Sequence, residues 1–153
     1  MCGIIGINSI KPVSATIINS LKKLEYRGYD SAGMATLYNG LINEVKSEGR
    51  VDNLEKNLLV QKMEGTIGIG HVRWATHGIP SSLNAHPHSS QNVSVVHNGQ
   101  LTNYWNNRRV LENKGMRFMS ECDSELIAVY LAEKMRNGAT PVSYTHLTLP
   151  TSR

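Results

Sequence analysis

Cysteine is scarce in this chain, and long hydrophobic runs are missing. Cys2 and Cys122 are the two cysteines among 153 residues, too few for the disulfide framework of a small secreted protein. No apolar stretch approaches the ~20 residues that a membrane-spanning helix needs. The first residues lack both the basic and the long apolar segment of a secretory signal. We therefore expect a cytoplasmic protein without a membrane partner.

Clusters of like charge are also missing. The formal net charge is +4 and charged residues make up 18% of the chain. Lysine and arginine are scattered and are not interleaved with aromatic residues, so the sequence does not indicate a nucleic-acid partner. With 40% hydrophobic residues, the chain is long enough to bury the core of one folded domain.

Hydrophobic periodicity predicts a mixture of strands and helices. A helix beginning near Pro12 has one apolar face, and the Asn39-Gly40 pair between two apolar runs predicts a hairpin. The segment 26–33 is predicted to be a connection. Further strands are predicted at 2–9, 66–74 and 92–99, and further helices at 51–59, 106–115 and 124–138. Hairpins without strict βαβ alternation favour an α+β architecture.

Reactive residue types occur beside glycine in several of these segments. In "MCGIIG", Cys2 is either a small buried hydrophobe or, once Met1 is removed, a thiol beside its own α-amine. In "HVRWATHG", Arg73 leaves a strand and enters a loop, where it can bind a carboxylate in a bidentate manner. The alternative for Arg73 is a surface ion pair.

Three other segments carry equally ambiguous signals. "NAHPH" holds His86 and His88, which are either metal ligands or hydrogen-bonded structural histidines. "HNG" offers Asn98 and a glycine N–H as oxyanion donors, although such a pair is also typical of a turn. In "ECDSE", Asp123 precedes a helix that it could N-cap, and Cys122 is expected to be a passive buried thiol.

Taken in order, these segments resemble a known family. "MCGIIG", "LEYRGYDSAG", "GHVRWATHG", "NAHPH", "VVHNG" and "SECDSELIA" are similar to successive blocks of the class II glutamine amidotransferase domain, which belongs to the N-terminal-nucleophile (Ntn) hydrolases. The resemblance runs from Cys2 to about Gly138. It implies a four-layer αββα fold, in which two antiparallel sheets are stacked between helical layers.

The resemblance also implies roles for individual residues. Cys2 would be the nucleophile that attacks the side-chain amide of glutamine, with its own α-amine as general base. Asn98 and Gly99 would form the oxyanion hole. Arg73 and Asp123 would bind the α-carboxylate and α-ammonium of glutamine. Thr76 and His77 would complete the glutamine pocket, and Trp74 would gate it. Arg27 would order the catalytic terminus, and His86 would have a structural or domain-coupling role. No cofactor and no metal are expected.

The ammonia acceptor is less well defined. The blocks are most similar to those of family members whose acceptor is fructose 6-phosphate, bound by a C-terminal isomerase domain in an enzyme expected to be a homo-oligomer. The segment 100–115 departs from that pattern and is closer to glutaminase subunits that supply ammonia to other synthases, such as glutamate-synthase-like or phosphoribosyl amidotransferase enzymes. A third hypothesis is a metal-binding module built from His71, His77, His86 and His88.

The last twelve residues are expected not to be native. "VSYTHLTLPTSR" (142–153) resembles one reading frame of a transposon adaptor used in sequencing libraries, although its partial alternation would also fit a strand. We therefore expect an incomplete glutaminase domain at 1–141, truncated at its C-terminus, followed by an adaptor-derived tail.

Overall fold

The computed structural model describes residues 1–61, 63–76 and 78–141, with the backbone alone at 58–61. His77 and the tail 142–153, both singled out above, lie outside these residues. Within the described part, no helix is long and apolar enough to cross a membrane. The elements follow in the order β1 (Gly3–Asn8), α1 (Ser14–Leu24), β2 (Ser31–Tyr38), β3 (Leu41–Glu48), α2 (Val51–Gln61), β4 (Ile67–Arg73), β5 (His88–Ser90), β6 (Val93–Val95), α3 (Tyr104–Asn113) and α4 (Glu125–Arg136).

The larger sheet has the strand order β1-β4-β2-β3, and all of its neighbouring strands are antiparallel. The predicted strand at 66–74 is therefore central. Its register sets Gly3 opposite Val72 and Ser31 opposite Arg73. The residues that precede β1 and β2 consequently lie beside the end of β4, and this register assembles the site described below.

The hairpin between β2 and β3 forms as predicted. Asn39 and Gly40 both have positive φ values, 49° and 77°, as the tight turns that match strand twist require. The predicted connection at 26–33 is too long, however, because β2 already begins at Ser31. The small residues there suit a strand buried on both faces: the position of a Gly33 Cβ would collide with the His86 carbonyl oxygen of the next layer.

Four layers result from the packing of these elements. Helices α1 and α2 cover one face of the larger sheet. On its other face lies the two-stranded antiparallel sheet of β5 and β6, where Lys46 Nζ donates to the Pro87 carbonyl oxygen at 3.1 Å. Helix α4 covers that second sheet and α3 packs on α4. This is the predicted αββα arrangement of two antiparallel sheets between helices.

Two apolar clusters hold the layers together. The smaller lies under α3 and α4, and these helices end before Gly115 and Gly138, whose φ values of 81° and 89° suit glycine. The larger lies between α1, α2 and the first sheet and includes the apolar face predicted for α1. It consists of Val13, Ile17, Ile18, Leu21, Ala32, Met34, Val45, Val51, Leu54, Met63 and Val72.

Candidate active site

Cys2 lies just before β1 and is held from two sides. Its carbonyl oxygen accepts hydrogen bonds from Arg27 Nε at 2.9 Å and from Asn98 Nδ2 at 3.3 Å. Its Sγ lies 3.5 Å from the Trp74 N–H and 3.8 Å from the Trp74 carbonyl oxygen. Cys2 is half-buried, whereas Met1 before it is 76% exposed. Cys2 therefore sits where three separate segments of the chain meet, and its thiol faces the Trp74 backbone.

The loop after β4 provides one wall of this site. Arg73 ends the strand and is 3% exposed, so it is not a surface ion-pair residue, and its Nη2 donates weakly to the Gly78 carbonyl oxygen at 3.4 Å. Trp74 is half exposed and meets Tyr29 edge-on, with ring centroids 6.0 Å apart. Thr76 is exposed in the same loop.

Asp30, which the sequence analysis did not single out, anchors this loop. Its Oδ2 accepts a short hydrogen bond from the Ala75 N–H, and its Oδ1 accepts one from Ser31 Oγ at 3.0 Å. Its own N–H donates to the Arg73 carbonyl oxygen at 3.3 Å. The signal was present, since Asp30 lies within the quoted "YRGYDSAG" segment, but its partner is a backbone N–H that no side-chain pattern reveals.

Gly28 permits the close approach of the same two segments. A Cβ on Gly28 would lie 2.5 Å from the carbonyl carbon and 2.6 Å from the carbonyl oxygen of Arg73, and 2.7 Å from the Trp74 nitrogen. Real Cβ atoms do not approach backbone that closely, so the loop could not lie here beside any other residue. The glycine thus lets its segment pack directly against the Arg73–Trp74 peptide, whose N–H group lies 3.5 Å from Cys2 Sγ.

The loop 96–101 lies on the opposite side of Cys2. Asn98 and Gly99 are exposed there, and the Asn98 amide reaches the Cys2 carbonyl oxygen as described above. The His97 ring lies against Gly99, where a Cβ would be 2.5 Å from Nε2. The His97 Nδ1 is 2.9 Å from Ser124 Oγ. Hence one of the two potential oxyanion donors, Asn98, contacts the Cys2 backbone, and Gly99 follows it on the same loop.

Asp123 is buried beneath that loop. It is 2% exposed, and its Oδ2 accepts the Leu101 N–H at 2.7 Å. Its side chain does not cap α4, because Ser124 occupies the N-cap position. Glu125, in the first turn of α4, accepts the N–H groups of Met119 and Ser120, both at 2.7 Å. These carboxylates position the chain before α4 against the 96–101 loop.

Asn84 ties the "NAHPH" segment to the same region. Its Nδ2 donates to the Ile79 carbonyl oxygen at 3.0 Å, and its Oδ1 accepts the Glu121 N–H at 2.9 Å. The loop that follows Gly78 is therefore fastened to the segment that carries Asp123. Sequence reasoning did not select this amide, since asparagine in a loop is common.

A stack of buried histidines lies behind the site. His71 and His86 have ring centroids 4.1 Å apart, and His86 and His88 are 4.6 Å apart. The prediction of hydrogen-bonded histidines is wrong for His86: neither of its ring nitrogens has a hydrogen-bond partner among the described residues. Burial lowers the pKa of His71 to about 4 and that of His88 to about 3, and it lowers the pKa of His86 further. All three rings are therefore neutral at physiological pH.

The structure thus gathers most of the predicted site. Arg27, Trp74 and Asn98 contact Cys2 directly, whereas Arg73, Gly99 and Asp123 line the neighbouring loops. His86 lies in the layer behind, and His77 lies outside the described residues. The arrangement offers a thiol beside an amide donor, with a buried guanidinium group and a buried carboxylate on the neighbouring segments, which suits attack on an amide carbonyl.

Known proteins share this sequence and this fold. A model of the glutamine amidotransferase domain matches residues 71–144. A glutamine–fructose-6-phosphate aminotransferase [isomerizing] from Mesorhizobium japonicum is 46% identical over 149 residues, which cover 97% of this chain and 24% of the relative. The protein of the same name from Clostridium acetobutylicum is 54% identical over 129 residues, covering 83% of this chain and 21% of the relative.

Solved structures agree with these relatives at the level of fold. A glutamine phosphoribosylpyrophosphate (PRPP) amidotransferase from B. subtilis, complexed with ADP and GMP, matches with a TM-score of 0.75 and 27% identity, over 94% of this chain and 31% of that one. A structure described as the allosteric regulatory enzyme of purine biosynthesis matches with a TM-score of 0.74, 29% identity and the same coverage. This chain spans about a quarter of the length of the aminotransferases that it matches.

Proposed function

The chain carries a glutamine amidotransferase domain with the Ntn-hydrolase fold, and from this premise we propose that it releases ammonia from the side chain of glutamine. The observation that carries the proposal is the meeting of Arg27, Asn98 and the Trp74 backbone at Cys2. A cysteine that only fills space in a buried strand does not need a guanidinium group and an amide on its backbone. A nucleophile does, because it must be held in place beside the groups that stabilise the oxyanion.

Removal of Met1, before any catalysis, leaves Cys2 with a free α-amine. An α-amine has a pKa of about 7.7–8.0, so part of it is neutral at physiological pH and can take the thiol proton, directly or through water. The Cys2 sulfur then attacks the glutamine amide carbon. The C–N bond breaks, the nitrogen leaves as ammonia with the proton returned to it, and a γ-glutamyl thioester remains. Water hydrolyses the thioester to glutamate.

The oxyanion that forms in each step is stabilised by Asn98 and Gly99. The Asn98 amide already lies 3.3 Å from the Cys2 carbonyl oxygen, and a small turn of its side chain would direct Nδ2 toward the oxygen of a substrate bound at Sγ. The Gly99 N–H is the second donor. Hydrogen bonds to an oxyanion are charge-assisted and strengthen in the transition state, so they accelerate the reaction.

Arg73 and Asp123 distinguish glutamine from a simple amide. Their opposite charges would pair with the α-carboxylate and the α-ammonium of the substrate. Because the two residues are at most 3% exposed, glutamine reaches them only when the loops over them move aside. The loop bearing Trp74 and Thr76 would open at Arg73, with the half-exposed indole as its gate, and the 96–101 loop would open at Asp123. His77 would complete the pocket, Arg27 holds the Cys2 carbonyl oxygen, and His86 supports the layer behind.

We further propose fructose 6-phosphate as the acceptor, with glucosamine 6-phosphate and glutamate as products. The names of the relatives that are 46–54% identical support this acceptor. It would bind to a C-terminal isomerase domain, and the complete enzyme would be a cytoplasmic homo-oligomer. The PRPP amidotransferase fold match supports the alternative of another synthase. The genomic sequence after residue 141 distinguishes the two: phosphosugar-isomerase repeats support the first acceptor, and a different continuation supports the second.

The glutaminase step can be tested on this chain. We expect Cys2→Ala to abolish ammonia release from glutamine, and mass spectrometry of the parent chain to show loss of Met1 and a trapped γ-glutamyl adduct on Cys2. Cys122→Ala is the matched control: it removes the other thiol and should keep the activity. Retention of activity in a folded Cys2→Ala chain, or of Met1 in active protein, would contradict the proposal.

A further inference from the structure

Three metal-ligating side chains that glutamine hydrolysis does not use lie together in the interior. His86, His88 and Cys122 are each 3% exposed. One ligand atom from each, an imidazole nitrogen or the Sγ, lies within 4.8 Å of the other two. We propose that these residues bind one Zn²⁺ ion, which would join the start of β5 to the segment before α4.

The buried nitrogens are the first support for this site. Both ring nitrogens of His86 and the Nε2 of His88 have no hydrogen-bond partner among the described residues. Buried polar atoms almost always have a partner, and those without one call for a physical explanation. An ion would engage one nitrogen lone pair from each ring, which no described protein group does.

The donor set selects the kind of ion. Two imidazoles and a thiolate suit Zn²⁺, whereas Mg²⁺ and Ca²⁺ prefer oxygen ligands. Zinc lies about 2.0–2.1 Å from imidazole nitrogen and about 2.3 Å from sulfur. Tetrahedral ligand atoms at these bond lengths lie about 3.3–3.6 Å apart, so atoms up to 4.8 Å apart would approach by up to about 1.5 Å when the ion binds. A water molecule would fill the fourth position.

The charges around the site are compatible with a cation. Cys122 Sγ lies 3.9 Å from Asp123 Oδ1 as a thiol donor. On binding, the S–H proton leaves to solvent, and the thiolate and the Asp123 carboxylate offset the ion's charge. Of the cations near His88, Lys46 is paired with Glu44 at 3.1 Å, and the Arg73 guanidinium group donates to the Gly78 carbonyl oxygen.

Cobalt binding tests the site without reference to catalysis. The 153-residue chain is treated with a chelator and refolded with Co²⁺, whose bond to a thiolate gives a charge-transfer absorption, or with Zn²⁺ for metal analysis. We expect one ion per chain, the thiolate band, and a raised unfolding temperature with Zn²⁺. Cys122→Ser should lose the band and the shift, whereas Cys2→Ser, which removes the other thiol, should retain both.

A second variant tests the site even if Cys122→Ser does not fold. His88→Gln keeps the Cys122 thiol but removes one imidazole, and it should bind Zn²⁺ at least tenfold more weakly than the parent chain. The proposal is wrong if the parent chain binds less than one ion, if Cys2→Ser loses the band, or if Cys122→Ser and His88→Gln bind zinc as the parent does. These readouts are metal content, absorption and unfolding temperature and not glutamine hydrolysis, so the failure of one proposal can be told from the failure of the other.

Discussion

Asp30→Asn should weaken glutamine binding although Asp30 is not placed in contact with substrate. The Asp30 carboxylate accepts the Ala75 N–H on one oxygen and the Ser31 hydroxyl on the other. Asparagine has nearly the same shape, but it offers one oxygen and an NH₂ group. The amide oxygen would accept the Ala75 N–H, and the NH₂ group would donate to the Ser31 hydroxyl once that hydroxyl turns, so both bonds remain but neither has a charged partner. The loop that presents Arg73 and Trp74 loses its charged anchor.

The size of the effect follows from the loss of that charge. A hydrogen bond to a charged group contributes about 1.5–3 kcal/mol and a neutral one about 0.5–1.5 kcal/mol, so the bond to Ala75 weakens by about 1–1.5 kcal/mol. Each 1.4 kcal/mol corresponds to about tenfold in an equilibrium constant, so if this loss falls on the loop conformation that holds Arg73, the KM for glutamine rises by about five- to tenfold. The value of kcat changes less, because the contacts of Arg27 and Asn98 to Cys2 remain.

Steady-state glutamine hydrolysis separates this positioning role from a merely structural one. Asp52→Asn is the matched control, since Asp52 is exposed on α2 and pairs with Lys22, and it should leave KM unchanged. Ser31→Ala removes one hydrogen bond to Asp30 but keeps the anchor to Ala75, so its KM should lie between the two. A folded Asp30→Asn chain with the parent KM, or a fall in kcat alone, would refute the reasoning.

Two further substitutions test the neighbouring loops. Asn98→Ala should lower kcat for glutamine hydrolysis by about 10²–10³ with little change in KM, because it removes one oxyanion donor; a large rise in KM with kcat preserved would assign Asn98 to substrate binding instead. Gly28→Ala should lower the free energy of unfolding in urea by about 1–3 kcal/mol, because its Cβ meets the Arg73–Trp74 backbone at 2.5–2.7 Å. Gly6→Ala, whose Cβ would meet nothing within 4 Å, should leave stability nearly unchanged, and equal losses in the two variants would contradict this account.

Local patterns predicted the elements well, and contacts between layers explain the differences. The apolar face of α1, the Asn39-Gly40 turn and the glycines after α3 and α4 act within a few residues, so the sequence displays them. The first three residues of β2, 31–33, are small or polar and therefore predict a connection, whereas the rest of that strand lies in the predicted hairpin. Their choice is dictated by the second sheet, which approaches Gly33 from 53 residues further along the chain, and no local window contains that information.

The site divides in the same way, between groups that react and groups that hold them. Side chains with distinctive chemistry, such as Cys2, Arg73 and Asn98, could be selected from the sequence because their types and neighbours are unusual. Their partners are largely backbone atoms distant in sequence: the Trp74 peptide lies 72 residues from Cys2, and Asn98 lies 96 residues from the carbonyl oxygen it contacts. A backbone N–H is the same at every position, so Asp30 carries no mark of its role. That role follows from the β2–β4 register, which sets Ser31 opposite Arg73 and so brings the Asp30 carboxylate beneath the loop.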